Sequence, residues 1–149
     1  PFIALARQEA LSLLASLFGS AVVPAAVHDE CMAKEGEDSC RIDAAFNAGW
    51  LRVESPSMPL PEMPRSLGEG EKQAIALAQS HPQSLLILDD RLARMQAARL
   101  ELAFMGAVRL LFIAEQRGLF DSAEQGVETL RRSGYRISPD ILRQIRQEA

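Results

Sequence analysis

Gly68-Glu69-Gly70-Glu71-Lys72-Gln73-Ala74-Ile75-Ala76-Leu77-Ala78, followed shortly by Leu85-Leu86-Ile87-Leu88-Asp89-Asp90-Arg91, decides how this chain is read. The first segment is a Gly-rich turn that becomes a helix. The second is four apolar residues in a row, the mark of a strand covered on both faces, and it ends in two aspartates. In an open parallel sheet, ligands bind outside the carboxyl ends of the strands. Asp89 and Asp90 fall at such an end, and Glu71 opens the preceding helix. Oxygen-only ligands of this kind suit Mg²⁺ or Mn²⁺ rather than zinc.

The flanking sequence supports an alternation of helix and strand. Upstream, Phe2, Leu5, Leu11, Leu14 and Phe18 recur at helical spacing and predict a helix over 2–18 that Gly19 ends. Ala21-Val22-Val23 reads as a short strand. Pro24 suits a first helical position, and a helix follows over about 25–34. Residues 35–39 are polar, 41–48 form another helix, and Trp50-Leu51-Arg52-Val53-Glu54 alternates as a half-buried strand does. The four prolines between 55 and 66 make an extended connector. Its neighbours are too short to hold separate cores, so residues 1–149 are expected to form a single domain. Ser66 and Glu69 match a capping box for the helix that runs to Ser80. Downstream come a helix over 91–102, with Leu92, Met95 and Leu102 inward, a strand at 103–105, and helices over 108–116, 122–132 and from Ser138-Pro139 to Glu148. Strands alternating with helices imply a parallel sheet flanked by helices.

Composition narrows the class. Apolar residues make up 48% of the chain, and no apolar run reaches the roughly 18 residues of a membrane span. With no signal peptide in the sequence, the expected location is cytoplasmic. Cys31 and Cys40 fit neither a redox nor a zinc spacing and are expected to be reduced structural thiols. Charge is uneven. Residues 1–90 carry six basic and thirteen acidic side chains, whereas 91–149 carry ten arginines and seven acids. An acidic half beside an Arg-rich half is compatible with a metal site next to a phosphate-binding surface, although solvated helices alone also carry such charge.

Several blocks together resemble one known family. They are Pro-Phe-Ile-Ala-Leu-Ala at 1–6, Val-Pro-Ala-Ala-Val-His-Asp-Glu at 23–30, Leu-Gly-Glu-Gly-Glu-Lys-Gln-Ala-Ile-Ala-Leu-Ala at 67–78, Leu-Ile-Leu-Asp-Asp-Arg at 86–91 and Gly-Tyr-Arg-Ile-Ser at 134–138. They are similar to a toxin-like subfamily of the PIN-domain superfamily, and the resemblance covers essentially the whole chain. It implies a three-layer α/β/α fold with a parallel central sheet. It also implies a ribonuclease that depends on Mg²⁺ or Mn²⁺, with RNA as substrate, a small antitoxin protein as inhibitor, and homodimerisation. Leu110, Leu111 and Phe112 are candidates for the dimer face. The matching acids are Glu30, Glu71 and Asp90 as catalytic residues, with Asp89 beside them in the metal set. The family's first acid stands at the end of a first strand, just ahead of the position of Pro1. The expectation is therefore that this strand and its acid precede Pro1 in the natural protein, leaving a gap beside the 21–23 and 85–88 strands here.

In the proposed chemistry, a divalent cation supplies an activated water and a clamp for the phosphate. Arg91 and Arg94, three residues apart on one helix face, are candidates for contacting the nucleic-acid backbone or pairing with the acids. Each acid also has a plainer reading. Glu69 and Glu71 suit a helix N-terminus electrostatically, Asp89 could cap the helix at Arg91, and Asp29 with Glu30 could be a solvated face. His28 and His81 have no second ligand at metal spacing. With one Trp and one Tyr, base stacking is not supported. Two other classes stay open. One is a catalytically silent PIN-like binding module. The other is a different doubly wound phosphate-binding domain, against which stands the absence of Lys-Ser/Thr after Gly68-x-Gly70.

Overall fold

The computed structural model describes residue 5 and residues 10–33 and 36–148. Most of the opening of the helix expected over 2–18 therefore lies outside the described residues; the expected single helix is interrupted, since residues 10–12 form a turn, and α1 spans Leu13–Phe18. The order continues β1 (Ala21–Pro24), α2 (Ala25–Met32), α3 (Glu37–Asn47), β2 (Leu51–Glu54), α4 (Glu69–Ser80), β3 (Leu86–Ile87) and α5 (Arg91–Arg99). It ends with β4 (Phe104–Met105), α6 (Ala107–Gln116), α7 (Ala123–Arg132) and α8 (Pro139–Glu148). All four strands lie where their apolar patterns place them, and both pairings are parallel. Ala21 stands opposite Leu51 in one ribbon and Leu86 opposite Phe104 in the other.

The strands form two parallel ribbons, β1–β2 and β3–β4, rather than one continuous hydrogen-bonded sheet. Side-chain alternation shows the layers. Leu86 and Leu88 point into a cluster with Leu67, Ile75 and Ala78 of α4 and Ala93 and Ala97 of α5. Ile87, between them, packs on the other cluster, built from α1, β1, α2, β2, α6 and α7 around Leu110, Leu111, Val127 and Leu130. Strand side chains alternate between faces, so β3 has helices on both sides, as its four-residue apolar run requires. This is the three-layer α/β/α arrangement.

The two ribbons face each other across a cavity of about 540 Å³. Ser20 to Pro24 line one side of it and Leu85 to Leu88 the other, with α1 and α4 supplying apolar walls.

Local signals account for most helix boundaries, and four readings need correction. Ser66 and Glu69 do not form a capping box, because α4 begins one turn later than Ser66, at an N-cap formed by Gly68 without a side-chain bond. Gly70 instead serves packing: a methyl group there would lie 2.8 Å from Val27 Cγ2, so its bare backbone lets α4 lie against α2. The 35–39 stretch, read as polar and non-helical, contributes the start of α3, which begins at Glu37 after Gly36. Met95 is 59% exposed; Ala93, Gln96 and Ala97 form the inner face of α5. Leu110, Leu111 and Phe112 do not form a dimer face, for all three are buried in the core beneath α7 and α8. Cys31 is buried and Cys40 exposed. No helix among the described residues is long and apolar enough to cross a membrane.

Candidate functional site

The carboxyl edge of the strands is assembled by short connections. β3 runs into Asp89 and Asp90, and Leu88 still donates its N–H to the Met105 carbonyl at 2.9 Å, so the ladder holds up to the first aspartate. Asp89 is half-buried. Its Oδ1 accepts the Ala107 N–H at 2.8 Å, which caps the first turn of α6 and ties the end of β3 to the helix after β4. Gly106 makes this approach possible, since a Cβ there would stand 3.1 Å from the same oxygen.

The Tyr135 hydroxyl, on the segment between α7 and α8, also hydrogen-bonds the Asp89 carboxylate. Burial, then the Asp89 charge, then this hydrogen bond push the phenol well above its ordinary pKa. Tyr135 lies in the 134–138 block, whose sequence alone assigns it no role. A lone tyrosine in an Arg-rich tail was the available signal, because a tyrosine buries its ring and needs a partner for its hydroxyl.

Asp90 is exposed and is the N-cap of α5, its Oδ1 accepting the Ala93 N–H at 2.8 Å. The capping role considered for Asp89 thus belongs to Asp90, while Asp89 caps the neighbouring α6. The reason is register. An N-cap accepts from the N–H two or three residues later, and Asp90 stands three before Ala93. Arg91 and Arg94 follow on α5, both exposed, and the Arg94 guanidinium lies 5.5 Å from the Phe104 ring centroid.

Glu71 lies in the first turn of α4, half-buried, with its carboxylate folded over Gly68. It lines the cavity together with Pro24 and Leu88, the last residues of the two facing edges, so it shares the carboxyl rim with the aspartates. Gln73 fixes this placement: its Oε1 accepts the Ala26 N–H at 3.1 Å, bonding α4 to the first turn of α2. Sequence reading missed Gln73, since nothing local distinguishes it from any exposed helix glutamine.

Glu30 is the sixth residue of α2 and is exposed, about 9 Å along the helix axis from the end of β1. Asp29 beside it lies 3.5 Å from His28 Nδ1, and His28 packs edge-on against Phe46. His81 pairs with Glu54 at 3.0 Å.

The donors are carboxylate oxygens, the chemistry that Mg²⁺ or Mn²⁺ takes. Among the described residues, no three Asp, Glu, His or Cys side chains converge as a metal set. Asp89 Oδ1 caps α6, Asp90 Oδ1 caps α5, and Glu30 is exposed on α2. What the rim does offer is an acidic edge of Glu71, Asp89 and Asp90 with Arg91 and Arg94 next to it.

A three-layer α/β/α domain with paired acids beyond the carboxyl ends of parallel strands defines the class: a doubly wound protein whose ligand edge is acidic. The chain matches the PIN-domain family over residues 1–149 and belongs to it. The family's fold is of nuclease type. No curated protein and no solved structure matches the chain.

Proposed function

We propose that this chain is a ribonuclease of the PIN type, dependent on Mg²⁺ or Mn²⁺, acting at the rim formed by Glu71, Asp89 and Asp90. Membership of the PIN-domain family across residues 1–149 carries this reading. The rim supports it chemically. Asp90 keeps a solvent-facing carboxylate on a rigid helix cap, and Arg91 and Arg94 stand within one turn to receive the phosphate backbone. Asp89 acts as a positioning residue, holding β3, α6 and Tyr135 in one register. Glu30, exposed on α2, belongs to the same proposed set. Pairing with a second copy or with an inhibitory antitoxin belongs to the same proposal, at a surface other than the buried Leu110–Phe112 segment.

A second reading has its own observation. The described carboxylates do not form a metal set, which favours a catalytically silent module that binds RNA through the arginines. One experiment separates the two. End-labelled single-stranded RNA is incubated with the chain in Mn²⁺ or in EDTA, using wild type, Asp90→Asn, Glu71→Gln and Asp29→Asn, and binding is measured in parallel. The ribonuclease reading expects Mn²⁺-dependent cleavage that Asp90→Asn and Glu71→Gln reduce at least a hundredfold and Asp29→Asn leaves unchanged. Binding without cleavage in any metal supports the silent module. If neither occurs, both readings fail.

A further inference from the structure

α5 carries two arginines in its opening turn. With Asp90 as the cap, Arg91 is the first helical residue and Arg94 the fourth, and the first turn holds no acid. A helix dipole favours anions at this end, so helix stability does not account for either cation. Their directions differ. Side chains in a helix lean toward its N-terminus and cover the turn before their own Cα. Arg94 therefore lies back over the first turn toward the strand ends, whereas Arg91 has no turn of α5 to lie on.

Arg94 ends on an aromatic face. Its guanidinium carbon stands over the Phe104 ring, 5.5 Å from the centroid. A Cβ on Gly106 would lie 3.9 Å from Arg94 Nη1 and 3.1 Å from Asp89 Oδ1, so those two atoms are within about 7 Å of each other. Phe104 is half-buried at the start of β4, packed against the cluster between α4 and α5. A cation over a ring is held by the ring quadrupole, a contact that uses none of its N–H groups. The five donors of the guanidinium are left for a bidentate acceptor such as phosphate. Asp89 and Asp90 repel an anion arriving at this edge, and Arg94 is a positive charge placed beside them.

We infer that Phe104 is a positioning residue: it acts through Arg94, holding the guanidinium beside Asp89 to take the RNA phosphate that lies against the acidic edge. This rests on the reading of the chain as a protein that acts on RNA, and it gives the two arginines different tasks. A long side chain loses rotamer freedom when it binds, and the ring removes that cost in advance. Arg91, without such a platform, contributes charge.

The full chain is titrated with a labelled twelve-nucleotide oligouridine in EDTA, which prevents metal-dependent cleavage, over a series of salt concentrations. One phosphate contact to a single strand contributes about 0.7 to the slope of log K against log salt. Arg94→Gln should weaken binding at least fivefold at low salt and reduce the slope by about 0.7. Phe104→Leu should weaken it at least threefold with the slope kept, because the charge remains and only its placement is lost. Phe104→Tyr, which keeps the ring, should bind within twofold of wild type. Phe104→Leu should have no further effect in the Arg94→Gln background and its full effect in the Arg91→Gln background. If Phe104→Leu does not fold, the Arg94 Nε–H resonance of the wild type decides: ring current should displace it from those of the other arginines, and saturating RNA should move it.

Arg94→Gln binding RNA as tightly as wild type overturns the inference. So does an equal loss from Phe104→Leu with and without Arg94, which would leave Phe104 a core residue and nothing more. An Arg94 resonance that does not respond to RNA does the same. In each of these cases RNA still binds, and the proposed function survives. Absence of RNA binding by the wild type at about 100 μM, in EDTA and in Mn²⁺ alike, would remove both.

Discussion

Tyr135→Phe separates the two halves of the Asp89 contact. At pH 8 both Tyr135 and its unfolded counterpart are protonated, so the substitution removes only one hydrogen bond to a charged acceptor, a loss of about 1.5 kcal/mol. Alkaline pH changes the comparison. The folded phenol is held above its ordinary value of 10.0, first by burial and then by the Asp89 carboxylate. Between the two values the unfolded chain releases a proton that the folded chain keeps. The folded state then binds more protons, and its stability falls as pH rises above 10. One pH unit past the unfolded value corresponds to about 1.4 kcal/mol. Tyr135 is only partly buried, so solvent screening reduces this to roughly 1 kcal/mol at pH 11. The destabilisation caused by Tyr135→Phe should therefore shrink from about 1.5 kcal/mol at pH 8 to roughly 0.5 at pH 11. Urea denaturation at the two pH values measures the difference. Because the chain has one tyrosine, absorbance at 295 nm reads its ionisation directly. A folded-state midpoint near pH 10, or a cost for Tyr135→Phe that is the same at pH 8 and pH 11, would refute the Asp89–Tyr135 contact.

Further substitutions test the rim. Gly70→Ala forces its methyl group against Val27 and should destabilise by about 1–3 kcal/mol in chemical denaturation, with Val27→Ala restoring part of the loss. Asp90→Ala removes the α5 cap and should cost about 1 kcal/mol, whereas Asp90→Asn should cost only a few tenths, because asparagine caps as well. That pairing lets a loss of RNA cleavage in Asp90→Asn be separated from a loss of fold; equal destabilisation by the two would undo the capping assignment. Gln73→Ala should cost about 1 kcal/mol and speed amide exchange at Ala26 without changing exchange in α5, and unchanged Ala26 exchange would show that the α4–α2 bond is not formed in solution.

The acidic rim was legible as a neighbourhood and not as a geometry. Asp89-Asp90 after four apolar residues could be placed at a strand end from sequence, because apolar run length and parallel-sheet topology are local signals. The split of work between the two aspartates was not local. It depends on the register of α5 against β3 and on α6 beginning beside β3 only after the chain has passed through β4. Glu71 has its rim position because its helix starts there. Tyr135 reaches Asp89 across 46 positions of sequence, a contact no pattern in either segment announces.

By itself the sequence determined the alternation of helix and strand, the four strand positions, the burial of β3 on both faces and the membership that its motif blocks indicate. These follow from periodicities that read out within a few residues. Tertiary structure decided which polar groups meet: Gln73 with Ala26, and Asp89 with Ala107 and Tyr135. Those pairings depend on how whole elements are stacked, because a hydrogen bond demands placement within tenths of an ångström, and hydrophobic patterning alone sets only which face turns inward.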